Sequence, residues 1–106
     1  MQATGFGDLT AYVTIPEDGT ISRTIYQDEH VKAVLFGFAP GQELSEHTAA
    51  VPAILHIVSG EATLTLGAEH MEARANSWVH MPAQLPHSVS ARTPVVMLLL
   101  LLKGQA

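Results

Sequence analysis

Cysteine is absent from this chain of 106 residues, and basic side chains are scarce, since five Lys and Arg stand against ten Asp and Glu for a formal net charge of −5. Without cysteine there is no disulfide framework, no zinc ribbon and no thiol nucleophile, so any metal has to be held by His, Asp or Glu. Without a basic patch the chain has nothing to neutralise phosphates, so nucleic acid is not an expected partner.

Long apolar runs are also missing, with one exception. The run from Val95 to Leu102 has eight residues between Pro94 and Lys103. A helix needs about 20 residues to span a bilayer, so we interpret this run as a fully buried strand. The N-terminus shows no basic stretch followed by an apolar one, so no secretory signal is visible and we expect a cytoplasmic protein without membrane partners.

Short apolar or alternating segments make up most of the remaining chain, with Gly, Pro, Asn and Asp between them. Their recurrence every 8 to 12 residues or so is typical of an all-β sandwich or barrel of about nine or ten strands. The predicted strands include residues 11–15, 22–27, 30–39 and 61–66. No segment with helical period exceeds one turn. We therefore expect a single all-β domain over residues 1–106, built as a double-sheet jelly roll that leaves few bare sheet edges.

The spacing of glycine, proline and histidine in two stretches resembles the small single-domain cupins. Residues 41–60 resemble the first cupin motif, G-x5-H-x-H-x3,4-E-x6-G, and residues 76–91 resemble the second, G-x5-P-x-G-x2-H-x3-N. The matching residues are Gly41, His47 and Gly60 in the first motif and Pro82 and His87 in the second. The similarity covers residues 34–102 and implies a double-stranded β-helix, or jelly-roll barrel, with His47 and His87 as metal ligands in its pocket.

The sequence departs from both motifs. Ala49 stands at the second histidine and Ala53 at the glutamate, which are the other two metal ligands in metal-binding cupins. The second motif also has substitutions at Asn76, Gln84 and Ala91. Catalytic sites for first-row metals usually have at least three protein ligands. We therefore expect partial occupancy by a divalent Ni, Zn or Fe ion, with water or a third histidine completing the shell.

The remaining histidines are weaker candidates for ligands. His56 and His80 form an alternative pair, because the strands that carry them are expected to be antiparallel neighbours. Period-two geometry places residues 53, 55 and 57 on one face, so His56 points away from His47 unless a bulge or slip near Pro52 reverses the register. His30 and His70 are interpreted as turn or surface residues. A solvated rim is expected of Glu43, Glu46 and Glu61.

The pocket implied by the motifs has apolar walls, expected to include Ala49, Ala53, Leu55 and Leu85, which suits a small-molecule ligand. We expect a cupin with a partly degenerate metal site that binds a small molecule. The alternative is an active metal-dependent enzyme, of dioxygenase or isomerase type, acting on a small organic acid or phenol. Because charged residues make up 14% of the chain, a two-fold homodimer that covers an edge or one sheet face is also expected.

Overall fold

The computed structural model describes residues 1–104, which form nine β-strands and one short 3₁₀ helix, Leu9–Tyr12. The strands are β1 (Thr20–Gln27), β2 (Val31–Phe38), β3 (Glu43–His47), β4 (Ala53–Ser59), β5 (Glu61–Leu66), β6 (Glu69–Arg74), β7 (Trp78–Met81), β8 (His87–Ala91) and β9 (Val95–Leu102). No helix within residues 1–104 is long and apolar enough to cross a membrane.

The strands form two antiparallel sheets that enclose the core. The large sheet has the order β1-β2-β9-β4-β7, and the small sheet has the order β3-β8-β5-β6. The predicted all-β jelly roll is therefore confirmed. Alternate residues of β4, β5 and β8 point inward, as the buried side chains of Leu55, Ile57, Leu64 and Val89 show.

Strand β9 occupies the centre of the large sheet, between β2 and β4. Its inner face carries Met97 and Leu99, which are buried against the core. Its outer face carries Leu98 and Leu100, which are half-buried. The prediction of a strand is confirmed, but the prediction of full burial is wrong for its second half, because the outer face of the large sheet is only partly covered.

The N-terminal segment supplies that partial cover. Residues 11–15 do not form the predicted strand. The 3₁₀ helix begins after Asp8, whose side chain accepts a hydrogen bond from the N–H of Thr10 at 3.0 Å. Gly37 lies on the outer face of β2, where a Cβ atom would come within 3.1 Å of Val13 and 3.3 Å of Ile15. The segment that carries these two side chains therefore packs on the face of the sheet and does not pair with its edge as a strand.

Candidate functional site

His87 is the one polar residue that is buried in the core within residues 1–104, with 4% of its surface exposed. It begins β8, in which His87, Val89 and Ala91 alternate inward while the two serines between them are half-buried on the outside. The inward parity of the strand therefore places this imidazole inside the barrel rather than on its surface.

His47 reaches the same face through a β-bulge. In the register of β3 and β8, Leu44 pairs with Val89 and His47 pairs with His87. Three steps along β3 thus correspond to two steps along β8, so β3 contains one extra residue here. Plain alternation from Leu44 would put Glu46 on the inner face, whereas the bulge puts His47 there.

The two imidazoles lie against each other, with ring centroids 4.2 Å apart and ring planes inclined at 58°. Nδ1 of His47 is 2.8 Å from the carbonyl oxygen of Ser45, and Nδ1 of His87 is 2.9 Å from that of Leu85. A carbonyl oxygen only accepts hydrogen bonds, so each Nδ1 carries its proton and donates it. In the neutral form of each ring, Nε2 is then the unprotonated nitrogen, which can accept a hydrogen bond or bind a cation.

The Nε2 atom of His87 also has access to solvent. No hydrogen bond to this atom is found, yet no fully buried side-chain nitrogen or oxygen in the described part of the chain lacks a partner. Nε2 of His87 therefore lies at an opening of the barrel, next to the exposed ring of His47.

A backbone hydrogen bond joins the two loops beside the histidines. The N–H of Gln84 donates to the carbonyl oxygen of Ala49 over 2.8 Å. Gln84 adopts a φ of 68° and Asn76 a φ of 76°, the left-handed conformation that glycine adopts without strain. Both residues stand at motif positions where glycine is usual, so the backbone conformation is kept although the glycines are not.

The second histidine pair lies on the opposite side of the large sheet. Ala53, Leu55 and Ile57 are buried on the inner face of β4, so His56 points outward in the register expected from period two. His56 pairs with Trp78, and Ile54 pairs with His80, which makes the two histidines diagonal neighbours on the outer face. They are not brought to His47 and His87.

The other polar residues considered from the sequence lie on the surface. His30 and His70 are exposed, and Nδ1 of His70 is 3.2 Å from the hydroxyl of Thr65. The carboxylates expected to form a solvated rim are exposed; they are Glu43, Glu46 and Glu61. The guanidinium of Arg92 is 2.9 Å from Glu72 and 4.0 Å from Glu61, on the outside of the small sheet.

The apolar residues expected to line the pocket are buried or half-buried. Ala53 and Leu55 are 2% and 1% exposed, Leu85 packs against the core, and Ala49 is half-buried.

The sequence analysis did not predict one charged residue on the inner face. Lys32 pairs with Leu101, which pairs with Ala53, so the three residues form one row across the inner face. The parity that Lys32 shares with Val34 and Phe36 does not by itself assign this face, because the opposite parity of β2 is apolar as well.

These side chains do not form a tight metal site. Residues 1–104 contain no group of three or more His, Asp or Glu side chains arranged to hold a metal ion. Alanine at positions 49 and 53 offers no donor atom, so the imidazoles of His47 and His87 are the only ligands available from the motif positions. Two imidazoles fall short of the three protein ligands usual at catalytic sites, so this donor set does not fit a tightly bound catalytic metal.

Comparison with known proteins agrees with this fold. The family model described as "Cupin domain" matches residues 34–101. A conserved Streptococcus pyogenes protein of unknown function is 31% identical, with a TM-score of 0.86 over 100% of this chain and 93% of that one. A cupin superfamily protein from Desulfitobacterium hafniense is 23% identical, with a TM-score of 0.86 over 98% of this chain and 94% of that one.

A third similar structure is an RmlC-like cupin from Desulfovibrio desulfuricans, 23% identical, with a TM-score of 0.84 over 95% of this chain and 97% of that one. At 23% identity, the likeness to these last two structures concerns the fold alone. No curated protein matches the sequence. The family match spans more than half of the chain and carries both histidines of the pair, so this protein belongs to the cupin family.

Proposed function

We propose that this cupin binds a small organic molecule inside the barrel, beside His47 and His87, and holds a metal there only weakly. One observation carries the proposal: the two imidazole ring centroids lie 4.2 Å apart with both Nε2 atoms free, and no carboxylate of residues 1–104 completes a metal site with them. Ligand sites are typically apolar concavities with a few oriented polar groups, and this end of the barrel has that composition.

The imidazoles supply orientation for the ligand. Because each Nδ1–H is bound to a backbone carbonyl, the rings are held in one tautomer, and each Nε2 accepts a hydrogen bond from a ligand hydroxyl or N–H group. Ala53 and Leu55 on the inner face of β4 supply apolar surface inside the barrel. These features support binding, whereas neither ring is hydrogen-bonded to a carboxylate of residues 1–104 that could orient it as a general base.

A metal-dependent enzyme is the second candidate, and the Nδ1 hydrogen bonds favour it. Histidines that bind metals usually donate their other ring N–H to a carbonyl or carboxylate, as both rings do here. A bound Ni, Zn or Fe ion would supply Lewis-acid or oxygen-activating chemistry toward a small organic acid or phenol. His47 and His87 would be its protein ligands.

Metal loading separates the two candidates. The protein is incubated with Fe(II), Ni(II) or Zn(II) in turn, and oxygen uptake and thermal shift are recorded against a panel of small organic acids and phenols. His87→Ala tests the site, and His56→Ala is the matched control on the outer face. We expect ligand-dependent stabilisation that disappears in His87→Ala and survives in His56→Ala, without turnover. Metal-dependent turnover lost in His87→Ala would establish the enzyme instead.

We further propose that a second copy of the chain covers the outer face of the large sheet. The outward residues of β4, β7 and β9 carry no carboxylate, lysine or arginine. Trp78 on this face is 58% exposed. Two copies with a net charge of −5 each repel through most of their surface, so an uncharged apolar face is where they can associate.

A further inference from the structure

Lys32 places a positive charge on the inner face of the barrel. Its row continues through Leu101 to Ala53 and Met81, and the last two are 2% and 1% exposed inside the core. Residues of one row on antiparallel strands share a face. The side chain of Lys32 therefore extends from the same face as Ala53, which takes the position of the first motif's glutamate.

The ammonium group of Lys32 has no hydrogen-bond or ion-pair partner within residues 1–104. Two other positively charged side chains have partners, since the guanidinium of Arg92 lies 2.9 Å from Glu72 and that of Arg23 donates to the carbonyl oxygen of Tyr12 at 3.1 Å. Lys32 is half-buried. No fully buried side-chain nitrogen within residues 1–104 lacks a partner, so the ammonium group of Lys32 reaches solvent. An unpaired ammonium group at the edge of an inner face is a candidate for binding an anion.

The barrel is open on the side where Lys32 lies. In the row after that of Lys32, burial falls from Leu55 at 1% exposed, through Leu99 at 9%, to half-buried Val34. In the next row, Met97 is 0% exposed but Phe36 on β2 is half-buried. The inner face is thus closed at β4 and accessible at β2, where Lys32, Val34 and Phe36 follow one another.

His47 lies at the same end of the barrel as Lys32. Strand β2 leads away from Lys32 to Phe38, and residues 39–42 cross to the other sheet, where the N–H of Gly41 donates to the carbonyl oxygen of Ala91 in β8 at 2.8 Å. Strand β3 then returns and ends at His47. Facing sheets pack about 10 Å apart, a gap that a lysine side chain and a small ligand fill together.

We propose that the ligand of this site is an organic anion, with Lys32 as its counter-ion and Val34 and Phe36 as the surface for its apolar part. The inference rests on the proposed binding function and adds the chemical class of the ligand. An ammonium group at this end of the barrel favours a bound carboxylate and disfavours a bound dication. The free Nε2 atoms of His47 and His87 accept hydrogen bonds from other polar groups of the same molecule.

Benzoate and 3-hydroxybenzoate are suitable probes, with the uncharged benzamide and 3-hydroxybenzamide as matched compounds. Binding is measured by calorimetry in the presence of a chelator, and contact with the site is read from the imidazole ¹⁵N resonances of His47 and His87. The variants are Lys32→Met, Lys32→Arg as the charge-retaining partner, and Arg74→Met, which removes a positive charge from the outside of β6.

We expect each acid to bind at least about tenfold more tightly than its amide, and Lys32→Met to remove that preference. We expect Lys32→Arg and Arg74→Met to keep the preference for the acid over the amide. If acid and amide bind equally, shift both histidines, and are unaffected by Lys32→Met, the anion assignment is overturned while the binding function stands. If none of the four compounds shifts either histidine in the folded wild-type protein, the proposed function fails together with the inference.

Discussion

His47 lies opposite His87 because β3 contains one residue more than β8 between the Leu44–Val89 pair and the His47–His87 pair. The bulge brings a strand-end residue onto the inner face, and the carbonyl oxygen of Ser45, within the bulge, accepts the hydrogen bond of the His47 ring at 2.8 Å. The same irregularity that delivers the imidazole therefore also fixes its tautomer.

Restoring the missing donor groups should create a strong metal site. Ala49→His combined with Ala53→Glu adds an imidazole and a carboxylate at the motif positions, next to two rings whose Nε2 atoms are already free. We expect the double variant to keep one Ni(II) per chain through gel filtration, and the wild-type protein to keep well under that. Elemental analysis is the measurement. Ile54→Glu, a carboxylate on the outer face of β4, is the control and should leave Ni(II) retention at the wild-type level.

Asp28 should make the stability of the β1–β2 turn depend on pH. Hydrogen bonds from the N–H of His30, the hydroxyl of Tyr26 and the N–H of Val31 hold the pKa of the Asp28 carboxyl at about 2, against its usual 3.8. Because folding lowers this pKa, the stabilisation is complete above 3.8 and is lost as the pH falls through 2.

We therefore expect Asp28→Asn to lower the Tm at pH 7, and the difference from wild type to shrink steadily below pH 3.8. Thermal unfolding between pH 2 and pH 7 measures it. Glu29→Gln removes one charge from the same turn and is the control for net charge. A Tm difference that stays constant over this range would show that the carboxylate is not the stabilising group. The hydrogen bond to Asp28 also raises the pKa of Tyr26.

Gly60→Ala should destabilise the fold more than Gly41→Ala. Both glycines adopt positive φ, 90° and 82°, so alanine carries a backbone penalty of about 1–2 kcal/mol at either position. At Gly60 a Cβ atom would also collide with the carbonyl oxygen of Pro94, whereas nothing lies within 4 Å at Gly41. Urea denaturation gives the two free energies of unfolding. Equal losses would mean that the contact with Pro94 relaxes without cost.

Trp78→Lys should convert the expected dimer into a monomer. Trp78 is 58% exposed on β7, an edge strand, and a lysine there would bring a charge into an otherwise uncharged face. Light scattering at micromolar concentration is the measurement, with Trp78→Phe as the control that keeps an aromatic contact. A monomeric mass for the wild-type protein would exclude this interface.

The sequence predicts the strands well where turn residues fix their lengths. Gly41 and Gly60 both adopt positive φ at strand ends, so the spacing between them marks one structural unit. The strand predicted for residues 11–15 is wrong, because apolar alternation is the same for a paired strand and for a chain that lies on a sheet face. The difference is decided by Gly37, which leaves room for Val13 and Ile15 and is distant in sequence.

Lys32 shows why part of the site was not predictable from the pattern alone. In most half-buried strands one face is polar, so the position of a charged residue in the alternation shows which face of the sheet it lies on. In β2 the outer face is also apolar, because the N-terminal segment packs against it at Gly37, and Leu35 on that face is 0% exposed. The inner face can then be identified only from the pairing of Lys32 with Leu101 and of Leu101 with Ala53.

The central claim is that the barrel interior beside His47 and His87 binds a small molecule without needing a metal. It is tested most directly by recording the imidazole ¹⁵N resonances of both histidines while small organic acids and phenols are titrated into chelator-treated protein. The account predicts that at least one compound shifts both resonances saturably and leaves His56, on the outer face, unchanged. It is contradicted if no compound shifts them, or if shifts appear only after Fe(II), Ni(II) or Zn(II) is restored.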